Sequence, residues 1–386
     1  MTEKLKNTII RLMFFCMAVF VLAACKDEPD PVKSNPRTVL VYMAANNSLG
    51  TGGYDSKDLT EMKQAVIGNP DVFNGGRLII FYAPTDGTQV LYELMPGTGE
   101  LQELKRYDSN QYVVSATRMN EVMDDTRLIA PADTYGLVLW SHALGWTQDG
   151  RKEESRSWGS DRGQTMNITT LASVLKGRDF DWIYFDCCYM GSVEVLYELR
   201  TVTSRIVASA SEIPVDGMPY TKNLPLFFKT TPDLTAAAQN TFEYYDDLVG
   251  SERTCTIAVY NLSGMDELAD ATRPIYQASS KVLPGSFYNL ALSLDVKPLF
   301  YDFGVYVDGM VKENGVSREL LDRWNAAYAD VVEYENATPY LWNRISLERF
   351  TGMSTYIARD SNDMTYKGYD TLEWYETVGK YLYVKE

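Results

Sequence analysis

Residues 181–192, "DWIYFDCCYMGS", carry an apolar stretch into an acid and two adjacent cysteines and then break at Gly191. A short aromatic and β-branched run closed by a turn reads as a buried strand with reactive side chains at its carboxyl end. The segments on either side fit that reading. "ITTLASVLKG" (168–177) before it has helical spacing, and so does "GSVEVLYELR" (191–200) after it, with Val193, Leu196 and Tyr197 on one face. "SRIVASAS" (204–211) is strand-like again. Nearer the N-terminus the same alternation runs through a strand at 38–45 ("TVLVYMAA"), a helix at 56–67 with Leu59, Met62, Ala65 and Val66 inward, and a strand at 76–83. An exposed strand near "TQVLYELMPG", a helix over 116–130 and the apolar run "YGLVLWSHALGW" (135–146) follow. Strands separated by helices predict an α/β fold: a doubly wound, mostly parallel sheet flanked by helices. Beyond residue 220 the pattern gives a helix at 233–248, a strand at 255–262, and helices near 265–280 and 317–335, with a late strand-like segment at 352–359. The expected organisation is a core over 38–262 and a mostly helical C-terminal subdomain over 263–386.

With 386 residues, 45% of them hydrophobic and 12% aromatic, the chain can bury a large core. Its first 24 residues read as an export signal. Lys4, Lys6 and Arg11 precede the apolar run "LMFFCMAVFVLAA", which is too short to span a bilayer. Leu22-Ala23-Ala24-Cys25 resembles a bacterial lipobox, so Cys25 is the expected lipidated N-terminus of the mature chain. Residues 25–37, polar and proline-rich, are the expected tether. The "KDE" after Cys25 resembles the acidic tag of surface-exposed Gram-negative lipoproteins, so the expected location is the cell envelope, at the outer membrane and exposed at the cell surface. Removing residues 1–24 takes away those three bases and Glu3, so the formal charge of −16 becomes about −18. Such a field repels nucleic acid and favours cationic peptides. The oligomeric state is not legible.

The chain has one histidine, His142, and five cysteines. Cys16 leaves with the signal and Cys25 takes lipid, so Cys187, Cys188 and Cys255 stay in the fold, an odd number that leaves at least one free thiol. Ligands of open parallel sheets bind beyond the carboxyl ends of the strands. Two runs end there in reactive groups, one at His142 and one at Cys187 and Cys188. If those strands are neighbours, imidazole and thiol meet, which is the minimum for acyl transfer, and the "ALG" turn after His142 leaves room for backbone oxyanion donors. A single histidine excludes a histidine-paired zinc site, and no G-x-S-x-G elbow supports a serine triad. Vicinal cysteines lack the spacing of redox motifs. Spacing alone leaves either cysteine open as the nucleophile.

"VLVYMAANNSL", "LVLWSHALGW", "FDCCYMGSVEVLYEL" and "IVASASEIPVDGMPY", in order across 38–220, resemble the clostripain family of cysteine peptidases in the caspase-like clan. The resemblance implies a caspase-like fold and a D-x-C-x-M motif whose nucleophile falls on Cys188, with Cys187 in the x position as buried packing. It places the general base on His142 and an oxyanion-donating N–H on Ala143, an alanine where the family usually has glycine. It also implies cleavage after arginine or lysine, with Asp186 and Asp216 as the acidic residues that bind the basic side chain. Self-cleavage in the loop 147–163, which holds Arg151, Lys152, Arg156 and Arg162, is part of the same expectation. Calcium serves some relatives, but no EF-hand-like loop is present here, and no cofactor or metal is expected. The rival expectation is a catalytically inactive homologue that binds peptides as a lipoprotein.

Overall fold

The apolar runs form the centre of a nine-stranded sheet in a computed structural model that describes residues 34–147, 157–280, 289–290, 300–357 and 368–383. The expected signal segment, Cys25 and most of the expected tether lie outside the described residues. Strands β1 (Asn35–Ala44) and β2 (Arg77–Ala83) are joined through helices α1 (Ser48–Thr51) and α2 (Tyr54–Val66). Next come β3 (Val90–Leu94), β4 (Leu101–Arg106), α3 (Ala116–Ile129) and β5 (Ala132–Trp140). A small hairpin of β6 (Trp158–Asp161) and β7 (Gln164–Met166) precedes α4 (Ile168–Leu175), β8 (Phe180–Asp186), α5 (Val193–Leu199) and β9 (Arg205–Ala208). Helices α6 (Tyr220–Phe227) and α7 (Leu234–Asp246) lead to β10 (Thr256–Asn261), and α8 (Met265–Ala278) follows. The remaining elements include β11 (Tyr301–Asp302), α9 (Phe303–Asn314), α10 (Arg318–Val331), β12 (Val332–Ala337), β13 (Tyr340–Leu341), β14 (Ile345–Ser346) and β15 (Ser354–Thr355).

The strand order is β12-β10-β9-β8-β5-β1-β2-β3-β4. The five central strands, β9 to β2, run parallel, and antiparallel strands extend both edges. Strict alternation along the central strands builds two cores, one on each face. Leu40, Tyr42, Leu137, Leu139, Ile183 and Phe185 face α3, α4, α5 and α8. Val39, Val41, Val138, Trp140, Trp182 and Tyr184 face α2, α6 and α7. The mostly parallel, helix-flanked sheet expected from the sequence is therefore present.

Three boundaries differ from the expectation. β1 begins at Asn35, inside the expected tether, because the Asn35 and Thr38 side chains bond the carbonyls of Pro131 and Ala130 beside β5. Among the described residues of the 352–359 segment, none joins the main sheet, and Ser354–Thr355 pairs with Tyr301–Asp302. It is β12, read from the sequence as the end of a helix, that takes the sheet edge beside β10. A helical run into "VVEYENA" hides that strand, because α10 continues into it without a break signal. The residues after 263 are thus mostly helical but also complete the sheet, and residues 34–386 cluster as one unit.

Candidate active site

β5 and β8 are parallel neighbours, with Trp140 directly opposite Asp186. His142 and Cys188 each stand two residues beyond that pair, so the register alone brings both to the same end of the same two strands. Both line a cavity of about 360 Å³ whose wall also includes Leu49, Trp140, Asp186 and Trp342.

Both cysteines reach the cavity wall, and burial distinguishes them. Phe185 and Cys187 belong to the core on the α5 side, and Cys187 is buried there. Cys188 is only half-buried. Beyond it the chain turns through a left-handed Tyr189, and the Tyr189 and Gly191 N–H groups bond the Ser211 and Ser209 carbonyls. This brings the thiol beside the 212–217 loop, where the Ile213 N–H donates to Cys188 Sγ at 3.4 Å. Burial pushes the Cys188 thiol up to about 12, with Glu212 and Asp186 adding to the shift and the Ile213 bond opposing it. Burial lowers His142 from its ordinary value. The resting pair is therefore neutral thiol and neutral imidazole. His142 Nε2 lies 2.7 Å from the Ser48 hydroxyl at the start of α1.

The turn after His142 is tied to the β6 hairpin. The Gly159 N–H donates to the His142 carbonyl at 2.9 Å, and the Leu144 N–H to the Ser157 carbonyl at 3.1 Å. Those bonds lie on either side of Ala143, and no bond among the described residues takes the Ala143 N–H. The left-handed position of this turn is Gly145, at φ 62°, so a Cβ at Ala143 costs no backbone strain. The substitution of alanine for glycine is compatible with an N–H donor on the cavity wall.

The two expected acids sit differently. Asp186 is buried at the cavity floor and accepts from the Met218 N–H at 3.1 Å and the Tyr220 hydroxyl at 2.9 Å. Burial raises its pKa against those two donors. Asp216 is half-exposed and ion-paired with Lys57 of α2, while its neighbours Val215 and Gly217 form the cavity wall. Of the loop bases, Arg151, Lys152 and Arg156 lie outside the described residues. Arg162 is held against Asp161 at 3.1 Å and stacks over Tyr112.

Ser48 and the 212–215 backbone escaped sequence reading although both lie inside stretches that carry the resemblance, because their contacts depend on the fold, and Trp342 comes from a turn far along the chain. Asp58, discussed below, left a trace: an acid four residues before Met62, on the apolar face of α2.

A parallel α/β sheet with a thiol and an imidazole at the carboxyl ends of adjacent strands defines a cysteine-hydrolase type of architecture. The comparisons carry this further. The clostripain family model matches residues 41–369, and the chain belongs to that family of cysteine peptidases. No curated protein matches it. Among solved structures, the inactive zymogen of a C11 protease from Parabacteroides distasonis is 28% identical with a TM-score of 0.76, covering 90% of this chain and 99% of its own. A secreted C11 cysteine protease from Bacteroides thetaiotaomicron, bound to an irreversible peptide inhibitor, is 28% identical with a TM-score of 0.75, covering 89% and 98%. A further C11 protease of that organism, iotapain, shares the fold at 24% identity, with a TM-score of 0.77 over 89% of this chain and 99% of its own.

Proposed function

We propose that the chain is a lipid-anchored cysteine endopeptidase that hydrolyses peptide bonds after arginine or lysine. Cys188 attacks the scissile carbonyl and His142 takes its proton, later returning it to the leaving amine. The Ala143 N–H stabilises the oxyanion, and water then releases the thioester acyl-enzyme. Asp186 faces the basic side chain. The observation that carries the reading is the β5–β8 register, which brings the only histidine and the cysteine pair, with Cys188 its less buried thiol, to one cavity. Membership of a peptidase family supports peptide substrates.

The neutral resting pair and the Ser48 contact on His142 favour a latent form, and one similar structure is itself an inactive zymogen. Cleavage after Arg151, Lys152 or Arg156 is the proposed activating step. Arg162, whose side chain pairs with Asp161 and stacks over Tyr112, is the less favoured of the loop bases. Cys25 would hold the enzyme at the envelope of a Gram-negative cell, at its outer membrane.

Fluorogenic peptides ending in Arg, Lys, Asp or Leu test the proposal. The protein, and Cys187→Ala, should cleave after Arg and Lys only, and Cys188→Ala should lose at least about 10³-fold in kcat/KM. Cleavage that survives Cys188→Ala, or none at all after the 148–156 segment is nicked, leaves the rival reading of a peptide-binding protein.

A further inference from the structure

Behind the cavity wall lies a carboxyl that the mechanism does not use. Asp58, on α2, is fully buried. Its Oδ2 accepts a 2.6 Å bond from Trp140 Nε1, and its Oδ1 has no hydrogen-bond donor. Trp140 is part of the cavity wall and stands opposite Asp186 in the β5–β8 ladder. Trp140 therefore stands between the two acids, bonded to Asp58 through its indole N–H and paired with Asp186 through its backbone. Lys57 and Glu61 from α2, Tyr184 from β8, Tyr220 from α6 and Tyr245 from α7 act on the pair. Lys57 is the one cation among them, and Asp216 holds it.

An ionised carboxylate with a bare oxygen in such a place is costly, and a second anion beside it is costlier. Burial first, and then the charge of Asp186, push the Asp58 carboxyl strongly upward. A guanidinium or ammonium group arriving against Asp186 reverses the balance, because a nearby positive charge favours the ionised form of every carboxyl around it.

We infer that Asp58 is a reserve charge of this pocket, neutral while the cavity is empty and ionised when a cationic side chain settles against Asp186. The proton leaves Asp58 for solvent, and the Trp140 bond holds the new carboxylate in place. The inference rests on the proposed preference for basic side chains. It gives the pocket two anions when a cation is present and spares it that pair when none is. An apolar side chain in the same cavity releases no proton.

Calorimetric titration tests this on the protein carrying Cys188→Ala, with a short peptide amide ending in arginine, in two buffers of different ionisation enthalpy at pH 8. The buffer dependence of the heat should report net proton release, cut by more than half in Asp58→Asn, which keeps an acceptor for Trp140 Nε1. A leucine-ending peptide should release none. Equal release from both pockets overturns the inference while leaving arginine recognition intact. Should Asp58→Asn not fold, the parent pocket still decides: its affinity for the arginine peptide should keep rising between pH 7.5 and pH 9, and a flat profile overturns the inference. If the arginine peptide does not bind and the leucine peptide does, the specificity reading falls first and takes this one with it.

Discussion

At the scale of single residues, the cavity depends on one backbone position as much as on its reactive groups. Gly217 has φ 64°, and a Cβ there would lie 2.9 Å from both Asp186 carboxylate oxygens. Gly217→Ala should therefore cost about 1–3 kcal/mol of stability in denaturant unfolding. It should also displace the Asp186 carboxylate, so kcat/KM on arginine peptides should fall further than on any other peptide. The preference for Cys188 over Cys187 comes from the D-x-C-x-M resemblance, and the structure leaves Cys188 the less buried of the two thiols. The partners of the reactive groups were not readable. Ser48, at the start of α1, and Ile213, in the 212–217 loop, reach His142 and Cys188 along paths that only the folded sheet defines.

At the scale of elements, α5 does more than follow the cysteine pair. Ser192 caps it, accepting from the Val195 N–H at 3.4 Å. Glu194, fully buried, accepts from the Tyr356 N–H at 2.8 Å and the Thr355 hydroxyl at 3.0 Å, and Glu198 accepts from the Glu373 N–H at 2.5 Å. The helix after Cys188 thus clasps two segments of the C-terminal part. Removing Glu194 strands two buried donors, so Glu194→Ala should cost about 2–4 kcal/mol. Burial pushes Glu194 up to about 7, so its neutral form is readily reached, and Glu194→Gln should stay within about 1 kcal/mol of the parent in the same unfolding measurement. The central elements were legible because buried parallel strands read as continuous apolar runs between amphipathic helices. β4 and β12 were not, for their residues are mostly half-buried or exposed and resemble ordinary surface sequence.

At the scale of the whole molecule, buried acids set a common direction for stability. Burial raises Asp58, Asp186 and Glu198, raises Glu194 to about 7, and raises Asp302 to about 6. A carboxyl raised in the folded state binds more protons there than in the unfolded chain between its two pKa values. Stability therefore falls as pH climbs through that window and is greatest below it. Thermal unfolding should give a higher Tm near pH 5 than near pH 8, and an unchanged or lower Tm at pH 5 would contradict this. Relief of repulsion in a chain of net charge −16 acts in the same direction. The strand order holds a further consequence. β1 to β5 fill one side of the sheet, β8, β9, β10 and β12 fill the other, and β5 meets β8 at the only join between them. The chain crosses from one half to the other through the segment proposed for cleavage, so a cut there leaves two polypeptides, one bearing His142 and the other Cys188. Their ladder then acts as a ruler: a slip of a single residue would move thiol against imidazole by about 3.3 Å and reverse the faces of one strand. The nicked molecule would keep its activity only while that seam stays in register, and pulling the halves apart would erase both the sheet and the chemistry in one event.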